Sequence, residues 1–207
     1  IEASVTGGSE NTSFYLSGNV YREEGTLKND KLTRFGGRVN ISHSVTQDLT
    51  VDTRLNGRYT DETNNPTGAL YEAYTNLPWD APRAGDGSFR TGRESDWIGR
   101  DNTNFLYPLQ YNEDKSRQYD FNGAVKLDYS LSSWLSFETT NQVTLQRDDA
   151  DQYRDIRTQA GSNNDGELFN SYAESTTLLS SSQFSFDRSV GKHNAGGIAG
   201  FEYETNH

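Results

Sequence analysis

The chain alternates apolar and polar residues over long segments, the pattern of β-strands whose two faces meet different surroundings. In segment 49–60, Leu49 and Leu55 fall on one face, whereas Asp52 and Arg54 fall on the other. The same alternation is clear in 33–45, 118–131 and 134–147, and weaker in 1–7, 13–23, 172–186 and 194–204. About eight strands are therefore predicted, and the fold class is all-β.

The predicted strands are long, and their connections alternate in length. About 14 residues at about 3.3 Å each and a tilt of about 40° rise about 35 Å, enough to cross a bilayer. Short turns are predicted at Gly8–Thr12, Thr46–Asp48, Ser132–Ser133 and Arg188–Lys192, and long connections at 24–32, 61–117 and 148–171. This alternation is typical of outer-membrane barrels, which predicts a transmembrane antiparallel β-barrel with 61–117 as a long extracellular loop.

Aromatic residues concentrate near the ends of these strands, at two levels. Phe35, Tyr59 and Tyr119 mark the long-loop level, and Tyr129, Trp134 and Phe186 mark the short-turn level. Such girdles sit at membrane interfaces, although aromatic residues also favour strands in general. In 13–23, Phe14 and Leu16 favour one face and Tyr15 and Tyr21 the other, so its orientation stays open.

Composition agrees with a barrel more than with a soluble core. Only 31% of residues are hydrophobic and the mean hydropathy is −0.90, yet 12% are aromatic, which argues against disorder. The sequence contains no run of 18 apolar residues, so no transmembrane helix is predicted. The net charge of −11 disfavours nucleic-acid binding, and the absence of cysteine excludes a thiolate metal site.

The chain carries no recognisable catalytic set, so no enzyme activity is predicted. Its three histidines, His43, His193 and His207, lie far apart in sequence, and neither a Ser/His/Asp order nor a phosphate loop is present. Segment 163–167 lacks the full series of oxygen ligands of a calcium loop. No cofactor and no metal are predicted.

The long loop 61–117 is the candidate substrate or partner surface, because it combines aromatic side chains with amides and arginines. The candidate binding residues are Trp79, Trp97, Tyr107, Tyr111, Arg90 and Arg93. An alternative stays open, in which the aromatic residues of this loop pack on one another as a small core. The polar faces of the strands supply a second set, predicted to face the barrel lumen: Arg38, Arg54, Arg58, Asp120, Lys126 and Asp128.

Several motifs resemble the SusC/RagA family of TonB-dependent outer-membrane transporters. Residues 4–15 (SVTGGSENTSFY) are similar to the family's "SGGxExTxYY" turn, and 24–40 to its "EGIxKxS…RYxGRxN" segment. Residues 76–80 (NLPWD) resemble a proline-containing segment of a long external loop, and 192–204 resemble the "KHxxxxxxGxEY" hairpin. These motifs are short but spread over most of the chain.

The resemblance implies a place in a larger barrel of 22 strands, of which residues 1–207 would supply about eight. The plug domain, the TonB-contacting segment and the closing strands are then expected outside this chain. It further implies an outer membrane of Bacteroidota, import of oligosaccharides or oligopeptides, a SusD-like surface lipoprotein, the TonB–ExbB–ExbD complex and contact with the lipopolysaccharide bilayer.

Two other classes remain as alternatives to an importer. A complete eight-stranded barrel with a structural or adhesive role could close around a salt-bridged interior. An outer-membrane hydrolase ranks last, because no catalytic residues are recognisable.

Overall fold

The computed structural model describes residues 1–65, 69–99 and 103–207, and its strands form one antiparallel sheet in the order of the sequence. The strands are β1 Glu2–Gly8, β2 Thr12–Glu24, β3 Lys31–Ser44, β4 Leu49–Thr63, β5 Glu113–Ser132, β6 Leu135–Arg154, β7 Glu167–Val190 and β8 His193–Asn206. Short helices α1, Ala69–Thr75, and α2, Gln159–Ser162, and a 3₁₀ turn at Pro108–Gln110 lie in the connections. The all-β, eight-strand prediction is confirmed.

Cross-strand pairing gives the sheet one apolar and one polar face. Leu16 lies opposite Val39, and Val39 lies opposite Leu55, so the apolar sets of three strands coincide. The pairing also settles the orientation of β2, because Tyr15 lies opposite Asn40. Tyr15 and the residues in its alternation therefore belong to the polar face, and Phe14 and Leu16 to the apolar face.

Aromatic side chains form two rows on the apolar face. In the upper row, Phe35 stacks on Tyr59 at 6.3 Å between ring centroids, and Tyr59 packs on Tyr119 at 4.9 Å. In the lower row, Tyr129 lies opposite Phe137, which packs on Phe184 at 4.7 Å. The rows are about 33 Å apart along β5, from Tyr119 to Tyr129. At a strand tilt of about 40° this gives a height of about 25 Å, that of an apolar band bounded by aromatic girdles.

Short turns lie at one edge of the sheet and long connections at the other, as predicted. Several strands continue past their predicted ends into the long connections, which narrow to 64–112 and 155–166. In these extensions charged pairs replace apolar residues. Arg117 on β5 pairs with Asp151 on β6, and Arg147 Nε lies 3.1 Å from Asp149 Oδ1. The alternation of apolar and polar residues therefore stops before the strands end, and it underestimates their length.

The sheet has no apolar core of its own. Among the described residues, Trp97 and Leu109 are the buried hydrophobic side chains, and both belong to the connection between β4 and β5. In the same residues β1 pairs only with β2, and β8 only with β7, so the sheet is open. The described strands thus do not form the closed eight-stranded barrel considered as an alternative. No helix in the described part is long and apolar enough to span a membrane.

Candidate functional site

Connection 64–112 is organised by a buried asparagine. Asn104 is completely inaccessible to solvent, and its Nδ2 donates to Pro82 O at 2.8 Å and to Arg90 O at 2.6 Å. Its Oδ1 accepts the backbone N–H of Leu106 at 3.1 Å. One side chain thus joins three separate stretches of the connection, because an amide combines donors and an acceptor.

A buried aspartate fixes a second part of this connection. Asp80 accepts the backbone N–H groups of Ile98 and Gly99, each at 2.8 Å, through its two carboxylate oxygens. The neighbouring Trp97 is 6% exposed, and its Nε1 donates to Gly99 O at 3.2 Å. The Arg90 guanidinium lies 5.5 Å from the Trp97 ring centroid, at cation–π distance. Hydrogen bonds and one buried indole therefore hold this segment.

A tight turn beside Asn104 depends on Gly92. Its φ is +81°, and a Cβ added there would lie 2.3 Å from the backbone nitrogen of Asn104, so only glycine fits. The Glu94 carboxylate accepts backbone N–H groups of this turn, from Thr91 at 2.8 Å and Gly92 at 3.0 Å. Burial opposes ionisation of Glu94, but these hydrogen bonds outweigh it and hold its pKa below the usual value.

The bases of two connections meet at Asn112. Asn112 Oδ1 accepts the Asp155 backbone N–H at 2.9 Å, and the buried Thr158 lies within 3.1 Å through its hydroxyl. The Arg157 guanidinium donates to both Asp155 carboxylate oxygens at 2.7 Å and covers the Tyr111 ring at 3.8 Å. Those bonds hold the pKa of Asp155 well below its usual range. Connections 64–112 and 155–166 thus share one polar base.

The predicted loop residues do not form one surface. Trp79 is 65% exposed and Arg93 is exposed, whereas Trp97 is buried and Arg90 pairs with Asp96 beside it. Tyr107 and Tyr111 are half-buried near the shared base, at 5.1 Å between ring centroids. Packing within the loop therefore accounts for part of the set, and a binding role for any of the six stays a prediction.

Helix α1 adds two exposed aromatic side chains that the candidate binding set did not include. Tyr71 is 68% and Tyr74 is 81% exposed, and both precede the exposed Trp79. Their spacing of three on a short helix places them on neighbouring positions of one helix face. That spacing was visible in the sequence, but α1 itself was not predicted.

The residues predicted to face the lumen all lie on the polar face of β3, β4 and β5. Arg58 Nε donates to Asp120 Oδ2 at 2.9 Å. Lys126 Nζ lies 3.2 Å from Asp128 Oδ1 and 3.0 Å from Glu138 Oε2. Arg38 and Arg54 occupy the same face, opposite Asn56 and Asn40. Among the described residues, no group of three or more histidine or acidic side chains could hold a metal ion.

A tall antiparallel sheet with one apolar face, one polar face and all its long connections at one edge is a wall segment of a β-barrel. The chain is 26% identical over 213 residues to the TonB-dependent receptor P3 of Formosa agariphila, a match that covers 98% of this chain and 21% of the relative. It is 29% identical over 135 residues to the TonB-dependent receptor P26 of that bacterium, covering 65% of this chain and 13% of the relative. No protein-family model matches the chain.

Solved structures give the same fold. The RagAB peptide transporter matches with a TM-score of 0.77 and 18% identity, over 99% of this chain and 24% of that one. The ferric-catecholate import receptor Fiu of E. coli K12 matches with a TM-score of 0.53 and 12% identity, over 99% and 32% of the two chains. The predicted resemblance to TonB-dependent receptors is confirmed, and the fold is that of the SusC/RagA-like RagAB transporter. The chain spans about a fifth or less of the curated relatives' length.

Replacing Asn104 with alanine is expected to loosen connection 64–112 while leaving the sheet intact. The change leaves two carbonyl groups and one N–H without their partner, at a cost of roughly 1–3 kcal/mol for each group that stays buried. Limited proteolysis should cut within 76–99 at least tenfold faster than in the unaltered protein. The exposed Asn164→Ala is the matched control, and equal cleavage rates for the two variants would contradict the role of Asn104.

The Asp155–Arg157 pair should keep connection 155–166 ordered in mild acid. Because the folded pKa of Asp155 is lowered, its contribution is complete above the unfolded carboxyl pKa of about 3.9 and is lost as the pH falls through the lower folded value. Amide hydrogen exchange of 156–164, corrected for intrinsic rates, should therefore stay slow at about pH 4 and accelerate below about pH 3. Asp155→Asn should remove that acid transition, and an unchanged transition would refute the assignment.

Proposed function

We propose that the chain is a wall segment of a SusC/RagA-like TonB-dependent importer in the outer membrane. The observation that carries this proposal is the similarity to TonB-dependent receptors over 98% of the chain. The sheet supports it independently, because its apolar band between two aromatic rows has the height of a bilayer core. In this arrangement the apolar face contacts lipid and lipopolysaccharide, and the polar face lines the lumen.

The substrate enters from the edge that carries the long connections. Exposed Trp79, Tyr71 and Tyr74 face solvent there, as do the charged Arg93 and other polar groups of connection 64–112. Aromatic rings with polar neighbours suit the transient capture of oligosaccharides or oligopeptides. The protein binds its substrate and passes it on without covalent change.

Two partners follow from the proposed class of importer. A SusD-like surface lipoprotein would dock on the long connections, and TonB with ExbB and ExbD would act on a segment N-terminal to this chain. Similarity to the RagAB peptide transporter supports the first partner, and the names of the curated relatives support the second. In the proposed importer, uptake is therefore coupled to the proton-motive force.

Identical protease sites inserted at the two edges of the sheet should differ in accessibility. A tobacco etch virus protease site after the exposed Gly85 should be cut on intact cells, whereas the same site between Thr46 and Gln47 should be cut only after the outer membrane is permeabilised. Immunoblotting for the fragments measures this. The reverse pattern would overturn the orientation.

Deleting the gene of the full-length protein should abolish energy-dependent uptake of the oligosaccharide or oligopeptide on which the bacterium grows. Uptake of a fluorescently labelled pool of such oligomers should fall to background in the deletion strain and in wild-type cells treated with a protonophore. The tagged full-length protein should also purify together with a surface lipoprotein. Uptake that survives the protonophore would indicate a passive pore instead.

A further inference from the structure

Four arginines form a zigzag column on the polar face of β3 and β4. The cross-strand register places them at successive levels: Arg34 opposite Thr60, Arg58 opposite Gly36, Arg38 opposite Asn56 and Arg54 opposite Asn40. Each step moves two residues along the sheet and crosses to the neighbouring strand. Successive Cα atoms are therefore about 8 Å apart, and the column is about 20 Å long.

Most of this column lacks counter-charges among the described residues. Arg58 pairs with Asp120, but in the described part of the chain no carboxylate oxygen pairs with Arg34, Arg38 or Arg54. Elsewhere in the described residues Arg90, Arg117, Arg147, Arg154 and Arg157 form ion pairs, whereas other arginines, such as Arg22 and Arg188, do not. What distinguishes Arg34, Arg38 and Arg54 from the other unpaired arginines is that they stand on one face of the sheet, within the same column.

One donor in the column is buried and unsatisfied. Arg34 Nε is inaccessible to solvent and has no hydrogen-bond acceptor among the described residues, although the guanidinium lies 5.9 Å from the Tyr21 ring. Buried donors almost always have a partner, so an acceptor from outside the described residues is expected at this position.

A cavity of about 370 Å³ surrounds the upper half of the column. Tyr15, Asn19, Arg34, Arg38 and Arg58 line it, together with the carboxylates of Glu2 and Asp120. Gly36 makes room in it, because a Cβ there would lie 2.1 Å from the Asn19 side-chain oxygen. The cavity thus combines guanidinium donors, an amide and a phenol on one wall.

The column lies toward the edge of the sheet where substrate is proposed to enter. Arg34 is level with Thr60 and Arg58 with Gly36, on either side of the upper aromatic row that contains Phe35 and Tyr59. A ligand arriving from the long connections meets Arg34 first and Arg54 last. The order of the arginines therefore follows the direction of import.

We propose that this column binds the acidic groups of a linear acidic oligosaccharide, a substrate class that rests on the importer function above. Guanidinium groups bind carboxylate and sulfate oxygens in a bidentate manner, which suits both kinds of acidic sugar. Acidic groups on successive or alternate sugar rings recur along one side of such a chain, as the arginines do along the wall. Tyr15 and Tyr21 share this face and offer aromatic surfaces to sugar rings.

Binding to the purified full-length protein in detergent tests the column directly. The probes are hyaluronan tetrasaccharide, a sulfated chondroitin tetrasaccharide, neutral cellotetraose and tetraglutamate, measured by isothermal titration calorimetry. The acidic sugars should bind most tightly, and their affinity should fall as sodium chloride is raised. The hyaluronan and chondroitin probes separate carboxylate recognition from sulfate recognition.

The Arg34→Gln/Arg38→Gln double variant should weaken binding of the preferred acidic sugar about tenfold or more. Arg22→Gln is the matched control, since Arg22 lies opposite Thr33 on the apolar face and its loss should leave affinity unchanged. If the double variant does not assemble, Arg54→Gln at the far end of the column and the salt titration of the unaltered protein take its place.

Three results would overturn the proposal: equal binding of neutral and acidic sugars, arginine variants without effect, or preferential binding of tetraglutamate. Uptake assays separate these failures from a failure of the importer function. Proton-motive uptake with no acidic-sugar preference would retain the importer and reject the column. Arginine-dependent binding without uptake would retain the column as a binding site and reject the importer function.

Discussion

The continuous backbone hydrogen-bond ladder is the constraint on which this structure depends. Of the described apolar side chains, only Trp97 and Leu109 are buried, so side-chain packing cannot hold eight strands together. The ladder does so, because it satisfies the N–H and C=O groups of every interior strand without a core. Since a shift of one residue would exchange the two faces of a strand, the apolar band also holds the register in place.

Polar hydrogen bonds give the long connections the order that an apolar core gives a soluble domain. Asn104, Asp80 and Asn112 each bind backbone groups from separate segments, and each is buried. Asn112 directly precedes the part of β5 that extends past the upper aromatic row, and it binds Asp155, which directly follows β6. Charged pairs such as Arg117 with Asp151 hold that extension. The edge of the sheet that carries the long connections is therefore both polar and ordered.

The register also determines how charge is distributed on the polar face. Lys126 on β5 pairs with Asp128 and Glu138, whereas β3 and β4 carry arginines at successive levels. Neither strand alone has more than two arginines in this column, at a spacing of four residues. Pairing interleaves the two sets and shortens the distance between neighbouring arginine Cα atoms from about 13 Å to about 8 Å, so that the two strands form one cationic column.

Local pattern in the sequence was enough to predict the strands, the alternation of short and long connections and the two faces of most strands. These features follow from period-two alternation and turn residues, which are properties of neighbouring residues in the chain. The outer ends of β5 and β6 were missed because charged residues there continue the strands by cross-strand pairing, which apolar alternation does not detect.

Only the tertiary structure decided which side of β2 is apolar, which loop tryptophan is buried and which arginines are neighbours. Tyr15 and Phe14 are both compatible with either face of a strand. Pairing with β3 decides between them, because it places Phe14 opposite Ile41 and Tyr15 opposite Asn40. Trp79 and Trp97 lie in similar polar sequence, yet the hydrogen bonds of Asp80 and the Arg90 contact enclose only Trp97. Each of these outcomes depends on residues distant in sequence, so no local pattern could determine it.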